Sequence, residues 1–309
     1  MLETESNHAI FTDSFLEVDP NDVIKAIQQE GFFAFKGALT NEFIESIEKD
    51  VSKCNNNINN NWVNGVYINS QYYLTHMLAT SKSFFDYVMH NKVFDICDKL
   101  LGETYRLKAF RYYETFSGSQ QRWHTDNKTD KAFANIPGII LISYISDVEK
   151  GEFQYIRGSQ AWSGEKAYNE YDDDFINTNH KDNIVSFKMP KGSIIIYDTY
   201  GIHRARPVSS IGFVRKSLFV QVDNEINSSE PILLNSRFLG ELTKKQQIFL
   251  GFGKPSEYQT FPYTNYGHLP VLSRTGLELM RWLPTRLIRG VYQLIPNQVK
   301  VIIKKLFSR

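Results

Sequence analysis

The chain is poor in cysteine, with two thiols, Cys54 and Cys97, in 309 residues and no C-x-x-C spacing. Neither a zinc cage nor a disulfide framework can be built from them, and two free thiols suit a reducing compartment. Long apolar runs are also missing. No stretch reaches 18 apolar residues, and the first ten are charged and polar where a secretory leader needs an apolar segment, so neither membrane spanning nor export is expected. No self-similarity at the spacing of repeat proteins is visible, which excludes a repeat array. Net charge is almost absent too, at +1, but this is a cancellation. Residues 274–309 hold eight of the 35 Lys and Arg and one of the 34 Asp and Glu, a local +7 that leaves −6 on the rest. An acidic body argues against a nucleic-acid partner. A cytoplasmic protein is the expectation, with the basic tail as the candidate for peripheral contact with the inner face of a membrane.

The chain is rich in hydrophobic residues, 42% of the total, enough for a large core. Asp19-Pro20-Asn21-Asp22 is a helix start, followed by Val23, Ile24 and Ile27 at helical spacing until Gly31. Gly31 to Gly37 reads as a buried strand bounded by glycines, and Thr40-Asn41-Glu42 opens a second helix. The Asn run at 55–61 reads as a solvated loop, and 83–100 as helical. Beyond Gly102 the character changes to short strands at 106–115, 138–145, 152–156, 184–188, 193–197 and 215–222, separated by Gly, Pro, Ser and Asp. The expected fold is mainly β with flanking helices, around a double-stranded β-helix (jelly-roll, cupin-like) core of about eight strands. The expected division is a helical flank with one leading strand (1–103), a jelly-roll core (104–224) and a C-terminal extension (225–309).

Trp123-His124-Thr125-Asp126 sets an imidazole and a carboxylate two residues apart, on one face of an extended chain. The spacing is common by chance, and the chain holds a second instance in His180-Lys181-Asp182. A third ligand is expected from another strand. The apolar run Ser193 to Asp198 leads into Gly201-Ile202-His203, 79 positions after His124, which leaves room for several intervening strands. His180 lies only 23 positions before His203, room for hardly more than a hairpin, and is the poorer partner. Two neutral imidazoles and a carboxylate with open positions form the donor set of a non-haem ferrous oxygenase. Arg215, 12 positions after His203, shares a strand face with Ser217. A buried Arg among apolar strands needs an anion, and its fork suits a carboxylate such as the distal one of 2-oxoglutarate, with the Ser hydroxyl as a second donor.

On these residues the chain resembles the phytanoyl-CoA dioxygenase family of Fe(II)/2-oxoglutarate-dependent oxygenases. The resemblance spans most of Gly31 to Val222. It rests on the Gly31–Gly37 segment, the Trp-His-x-Asp arm, the Gly-x-Ile-x-x-Tyr-Asp strand from Gly192, and the strand that carries Arg215. It implies a jelly-roll core, with Fe(II) held by His124, Asp126 and His203, 2-oxoglutarate anchored by Arg215, and O₂ as oxidant. The family often has Pro and His where this chain has Arg157 and Gln160. Related halogenases replace the carboxylate by a small residue, so Asp126 points to hydroxylation.

Of Tyr112 and Tyr113, one faces the interior by alternation; we assign Tyr113 to the co-substrate, the alternative being a core Tyr satisfied by backbone. Trp123 is expected to pack away from the ligands, and Arg204 and Arg206 to form a solvated rim. Residues 157–183 are too long and polar for a hairpin loop and read as a lid. The tail over 284–307 carries two proline-opened apolar stripes flanked by bases, which either pack on the barrel or lie on anionic lipid. The expected activity is hydroxylation of an unactivated C–H bond in a small molecule, lipid or lipid-linked sugar. The alternatives are a non-catalytic jelly-roll binding protein and another divalent-metal enzyme using the same ligands.

Overall fold

The computed structural model describes residues 9–56, 65–68, 71–74, 76–102, 104–116, 121–126, 138–162, 171–208, 212–224 and 229–256. The basic stripes expected over 284–307 lie outside the described residues, as do 57–61 of the Asn run and 163–170 of the expected lid.

The N-terminal elements are α1 (Asp13–Leu16), α2 (Pro20–Glu30), β1 (Phe32–Phe35) and α3 (Asn41–Asn56). α2 starts and stops as its sequence directs: Asp19 accepts a hydrogen bond from the Asn21 amide at 2.9 Å, Pro20 occupies the first turn, and Gly31 closes the helix at φ 89°. A side chain at Gly31 would also overlap the Tyr155 hydroxyl, so glycine is needed there for space as well. Val23 and Ile27 are fully buried on the inner face of α2, each contributing about 1.5–3 kcal/mol of burial. β1 departs from the expected buried strand. It pairs only with β8 (Ile194–Asp198), at the edge of the sheet, and is half-buried.

β2 (Gly65–Ile68) and β3 (Gln71–Leu74) form a hairpin absent from the sequence reading, followed by α4 (Met77–Thr80). The single helix expected at 83–100 is two, α5 (Lys82–Val88) and α6 (Asn91–Leu101). The break falls at His90, whose Nδ1 caps α6 by accepting from the Lys92 amide at 3.1 Å.

The strands of the core follow: β4 (Tyr105–Thr115), β5 (Gly138–Tyr144), β6 (Val148–Ile156), then α7 (Asp173–Asn179), β7 (Ile184–Met189), β8, β9 (His203–Ala205), β10 (Arg215–Asn224) and α8 (Lys244–Phe249). They make two antiparallel sheets, one of order β1-β8-β5-β10-β4-β3-β2 and one of order β7-β6-β9. The larger sheet is covered on both faces, which is why β5 is apolar at nearly every position and buried throughout. Ile139, Leu141, Leu218 and Val220 face the helices in the larger core. Ile140, Ile142, Ile195 and Phe219 face the interior, where they meet Phe153, Tyr155 and Phe187 of the smaller sheet. Two sheets closing on one interior is the jelly roll expected from the sequence.

Candidate active site

The smaller sheet gains a fourth member from the Trp-His-x-Asp arm. His124 and His203 are paired directly, each donating its backbone N–H to the other's carbonyl at 3.0 and 2.9 Å. Residues so paired project to the same side, and the two imidazole centroids lie 4.5 Å apart. Asp126, two residues along the arm, follows on the same face, its amide donating to the Thr199 carbonyl at 3.1 Å. One ligand atom from each of His124, Asp126 and His203 falls within 4.8 Å of the others. His203 Nε2 is 3.0 Å from Asp126 Oδ2, and His124 Nε2 is 3.8 Å from Oδ1.

Backbone carbonyls orient both imidazoles of the triad. His124 Nδ1 lies 2.8 Å from the Arg122 carbonyl and His203 Nδ1 3.1 Å from the Gly201 carbonyl. A carbonyl only accepts, so each Nδ1 carries a proton, and each Nε2 is the ring atom turned to the triad. Burial, then the adjacent His203, pushes the His124 imidazole down to about 4, so it is neutral at neutral pH. Burial alone would raise the Asp126 carboxyl, but His203, His124 and the Tyr197 hydroxyl together hold it well below the usual carboxylate range. Two borderline imidazole nitrogens and one carboxylate oxygen, opening on a cavity, make a set that fits Fe(II). His180 is not part of it; its ring packs on Trp162 and Phe175.

The triad opens on a cavity of about 450 Å³. Arg215, 4% exposed, lines it from β10. Its terminal nitrogens donate to the Gly151 carbonyl and to Thr115 Oγ1, while its buried Nε has no hydrogen-bond partner. Among the described residues it is the one Lys or Arg lining the cavity with no carboxylate partner. A buried guanidinium that lines a cavity and has no carboxylate of its own fits a carboxylate ligand such as 2-oxoglutarate. Tyr113 is the inward member of its pair and lines the cavity, whereas Tyr112 is buried toward the helices and donates to Glu114 at 2.8 Å. Ser217 points to the same interior as Arg215 and is buried, but does not line the cavity.

Arg204 corrects the expected solvated rim. It is buried, stacked on the Trp123 ring at 4.0 Å, paired with Asp173 and bonded to Gln154 Oε1 at 2.9 Å. The reason is strand alternation: Trp123 and Arg204 neighbour His124 and His203, and therefore face the outside of the smaller sheet. There α7 covers them, with Ile176 packed on Trp123, Ile156 and Ile202. Arg206 is the exposed one, 3.9 Å from Glu152. Arg157 and Gln160 both turn to α2, Arg157 pairing with Glu30 at 2.5 Å and Gln160 donating to the Gln28 carbonyl at 3.2 Å. The departure from the family pattern there serves packing.

The sequence reading gave no role to Tyr197, whose hydroxyl donates to Asp126 Oδ2 at 3.0 Å. Its signal was parity with Ile195, hidden because β8 is apolar on both faces. Two ion pairs beside the cavity were also missed, Lys108 with Asp223 at 3.2 Å and Arg111 with Glu230, which join residues more than a hundred positions apart.

The fold agrees with that of solved structures. The crystal structure of HygX from Streptomyces hygroscopicus with nickel, 2-oxoglutarate and hygromycin B matches with a TM-score of 0.54 at 13% identity, over 71% of this chain and 94% of HygX. The epimerase SnoN from nogalamycin biosynthesis, in complex with Fe3+, alpha ketoglutarate and nogalamycin RO, matches with 0.54 at 13% identity, over 69% and 86%. The carbocyclase SnoK from nogalamycin biosynthesis matches with 0.54 at 12% identity, over 72% and 90%. No curated protein sequence matches the chain. The model of the phytanoyl-CoA dioxygenase (PhyH) family matches residues 27–217, more than half of the chain, from the last turn of α2 to the start of β10. This chain belongs to the phytanoyl-CoA dioxygenase family.

Proposed function

We propose that the protein is an Fe(II)- and 2-oxoglutarate-dependent dioxygenase that hydroxylates an unactivated C–H bond of a small molecule. His124, Asp126 and His203 hold the metal, Arg215 anchors the distal carboxylate of the co-substrate, and Tyr113 contacts it from β4. The observation that carries this reading is the conjunction, in one cavity, of the two-His, one-carboxylate donor set with a buried guanidinium that has no carboxylate of its own. The relatives with nickel or iron and 2-oxoglutarate on the same fold support it.

Bound iron and 2-oxoglutarate supply oxidation by O₂, in which 2-oxoglutarate, O₂ and the substrate R–H give succinate, CO₂ and R–OH. The chain's own residues supply position and exclusion. The backbone pairing of His124 with His203 fixes the spacing of two donors before any metal arrives. Tyr197 holds the Asp126 carboxylate so that its second oxygen stays turned to the triad. Arg215 fixes the direction in which a dicarboxylate reaches the metal, and Phe153 and Phe219 keep part of the cavity wall dry.

Anaerobic addition of Fe(II) and 2-oxoglutarate to apoprotein is expected to produce a weak metal-to-ligand charge-transfer band in the visible, lost in His124→Ala and His203→Ala. Absence of the band under conditions where a control oxygenase shows it would overturn the reading. Hydroxylation is then read as a gain of one oxygen in the product, with one succinate formed per turnover.

A further inference from the structure

The cavity wall that faces the triad has a chemistry of its own. Lys108 and Arg111 project into it from β4, Gln221 from β10, and Glu230 from the segment that follows β10. Lys108 Nζ lies 3.2 Å from Asp223, which is buried behind it. Arg111 is in direct contact with the Glu230 carboxylate and sits 5.2 Å over the Phe219 ring. The Glu230 amide donates to the Lys108 carbonyl at 2.9 Å, so the segment carrying the acid is pinned to the strand carrying both bases. These charges are held in place before a ligand arrives.

We propose that this wall reads the substrate, and that the substrate is an uncharged, polyhydroxylated molecule of the sugar or glycoside class. The inference rests on the oxygenase reading above and names the substrate of that same site. Three observations carry it. First, both cations of the wall are already neutralised, and Arg215, the remaining cation, is taken by the co-substrate. Among the described residues no uncompensated base is left to meet a phosphate or a second carboxylate. Second, the described lining is more polar than apolar: the side chains of Ala109, Ile142, Ala205, Phe153 and Phe219 are interspersed with ion pairs, amides and tyrosine hydroxyls. An alkyl chain in this cavity would lie against ion pairs and amides and strip them of water without replacing their hydrogen bonds. Third, a fixed carboxylate beside a fixed guanidinium accepts from one hydroxyl and donates to the next, as vicinal hydroxyls require.

The wall joins two parts of the chain: Lys108 and Arg111 come from β4, and Phe219, Gln221, Asp223 and Glu230 from β10 and the segment after it.

The test uses the anaerobic Fe(II)/2-oxoglutarate protein and its charge-transfer band, which needs no turnover. The probes are methyl glucoside, methyl galactoside, sucrose and trehalose, set against octanoate and octanoyl-CoA. At least one glycoside is expected to perturb the band, and Glu230→Gln is expected to weaken that glycoside about tenfold while 2-oxoglutarate affinity stays unchanged. Lys108→Gln, on the second pair, is expected to weaken it as well. The proposal is overturned if octanoate or octanoyl-CoA perturbs the band and no glycoside does, or if no glycoside acts at roughly 50 mM, above the weakest specific affinities. It is also overturned if Glu230→Gln leaves glycoside affinity intact or lowers 2-oxoglutarate affinity equally. Failure to form the band before any probe is added instead overturns the oxygenase reading, so the two failures are distinct.

Discussion

The hydroxyl of Tyr197 donates to Oδ2 of Asp126 at 3.0 Å, and His203 Nε2 lies 3.0 Å from that same oxygen. One carboxylate oxygen is thus held by a phenol from β8 and faces an imidazole from β9. Losing an outer partner of a ligating carboxylate commonly weakens metal binding by about 10–100-fold. Tyr197→Phe keeps the ring packed and removes only this bond. We expect Fe(II) or Co(II) affinity to fall within that range, measured by anaerobic titration, with a folded protein by circular dichroism. Unchanged affinity would show that Asp126 needs no help from Tyr197.

Arg215 lines the cavity, donates through both terminal nitrogens to Gly151 and Thr115, and has no carboxylate partner among the described residues. A lysine retains the charge but not the planar fork. Arg215→Lys is expected to raise the dissociation constant for 2-oxoglutarate at least about tenfold, while metal affinity without co-substrate stays the same. Titrating 2-oxoglutarate against the charge-transfer band measures this; an equal affinity would remove Arg215 from the site.

Asp173 accepts from the Trp123 indole at 3.0 Å and pairs with Arg204. Each of those two residues adjoins a histidine of the triad, so Asp173 braces both strands from behind. In Asp173→Ala, faster hydrogen exchange at the His124 and His203 amides and a red-shifted tryptophan emission are expected. If exchange speeds up only within α7, the brace does not reach the site.

Burial lowers the pKa of His90, with Lys92 acting in the same direction against an opposing Asp95. The native state therefore keeps the ring neutral, with Nδ1 as the cap of α6, while the unfolded chain takes up a proton near the ordinary histidine value of about 6.5. The folded value being the lower one, this contribution to stability is complete above that pH and is lost as the pH falls below it. Urea unfolding at pH 7.5 and 5.0 should show wild type losing more stability on acidification than His90→Asn, which preserves a cap acceptor that does not titrate. Equal losses would place the acid sensitivity elsewhere.

Local chemistry was legible wherever a short stretch decides the outcome. The Asp19 cap, Pro20 and Gly31 delimit α2 as written, the apolar run of β5 declares a strand covered on both faces, and His-x-Asp needs only the two-residue period of an extended chain to align its side chains. β2 and β3 were not legible, because four-residue strands are stabilised by the neighbours they pair with and carry little pattern of their own. Arg204 was misplaced for a related reason: its burial depends on α7 arriving from 31 residues away to cover the outside of the sheet.

The sequence by itself determined the family, the two-sheet character of the core and the residues able to bind a metal. Only the tertiary structure decided that Tyr113 rather than Tyr112 faces the cavity, that Tyr197 holds Asp126, that Arg204 is buried under α7, and that Arg111 meets Glu230. Those outcomes depend on which strands exchange backbone hydrogen bonds and on which face each strand then buries. Both are set by contacts between residues far apart along the chain, and no local stretch of sequence contains them.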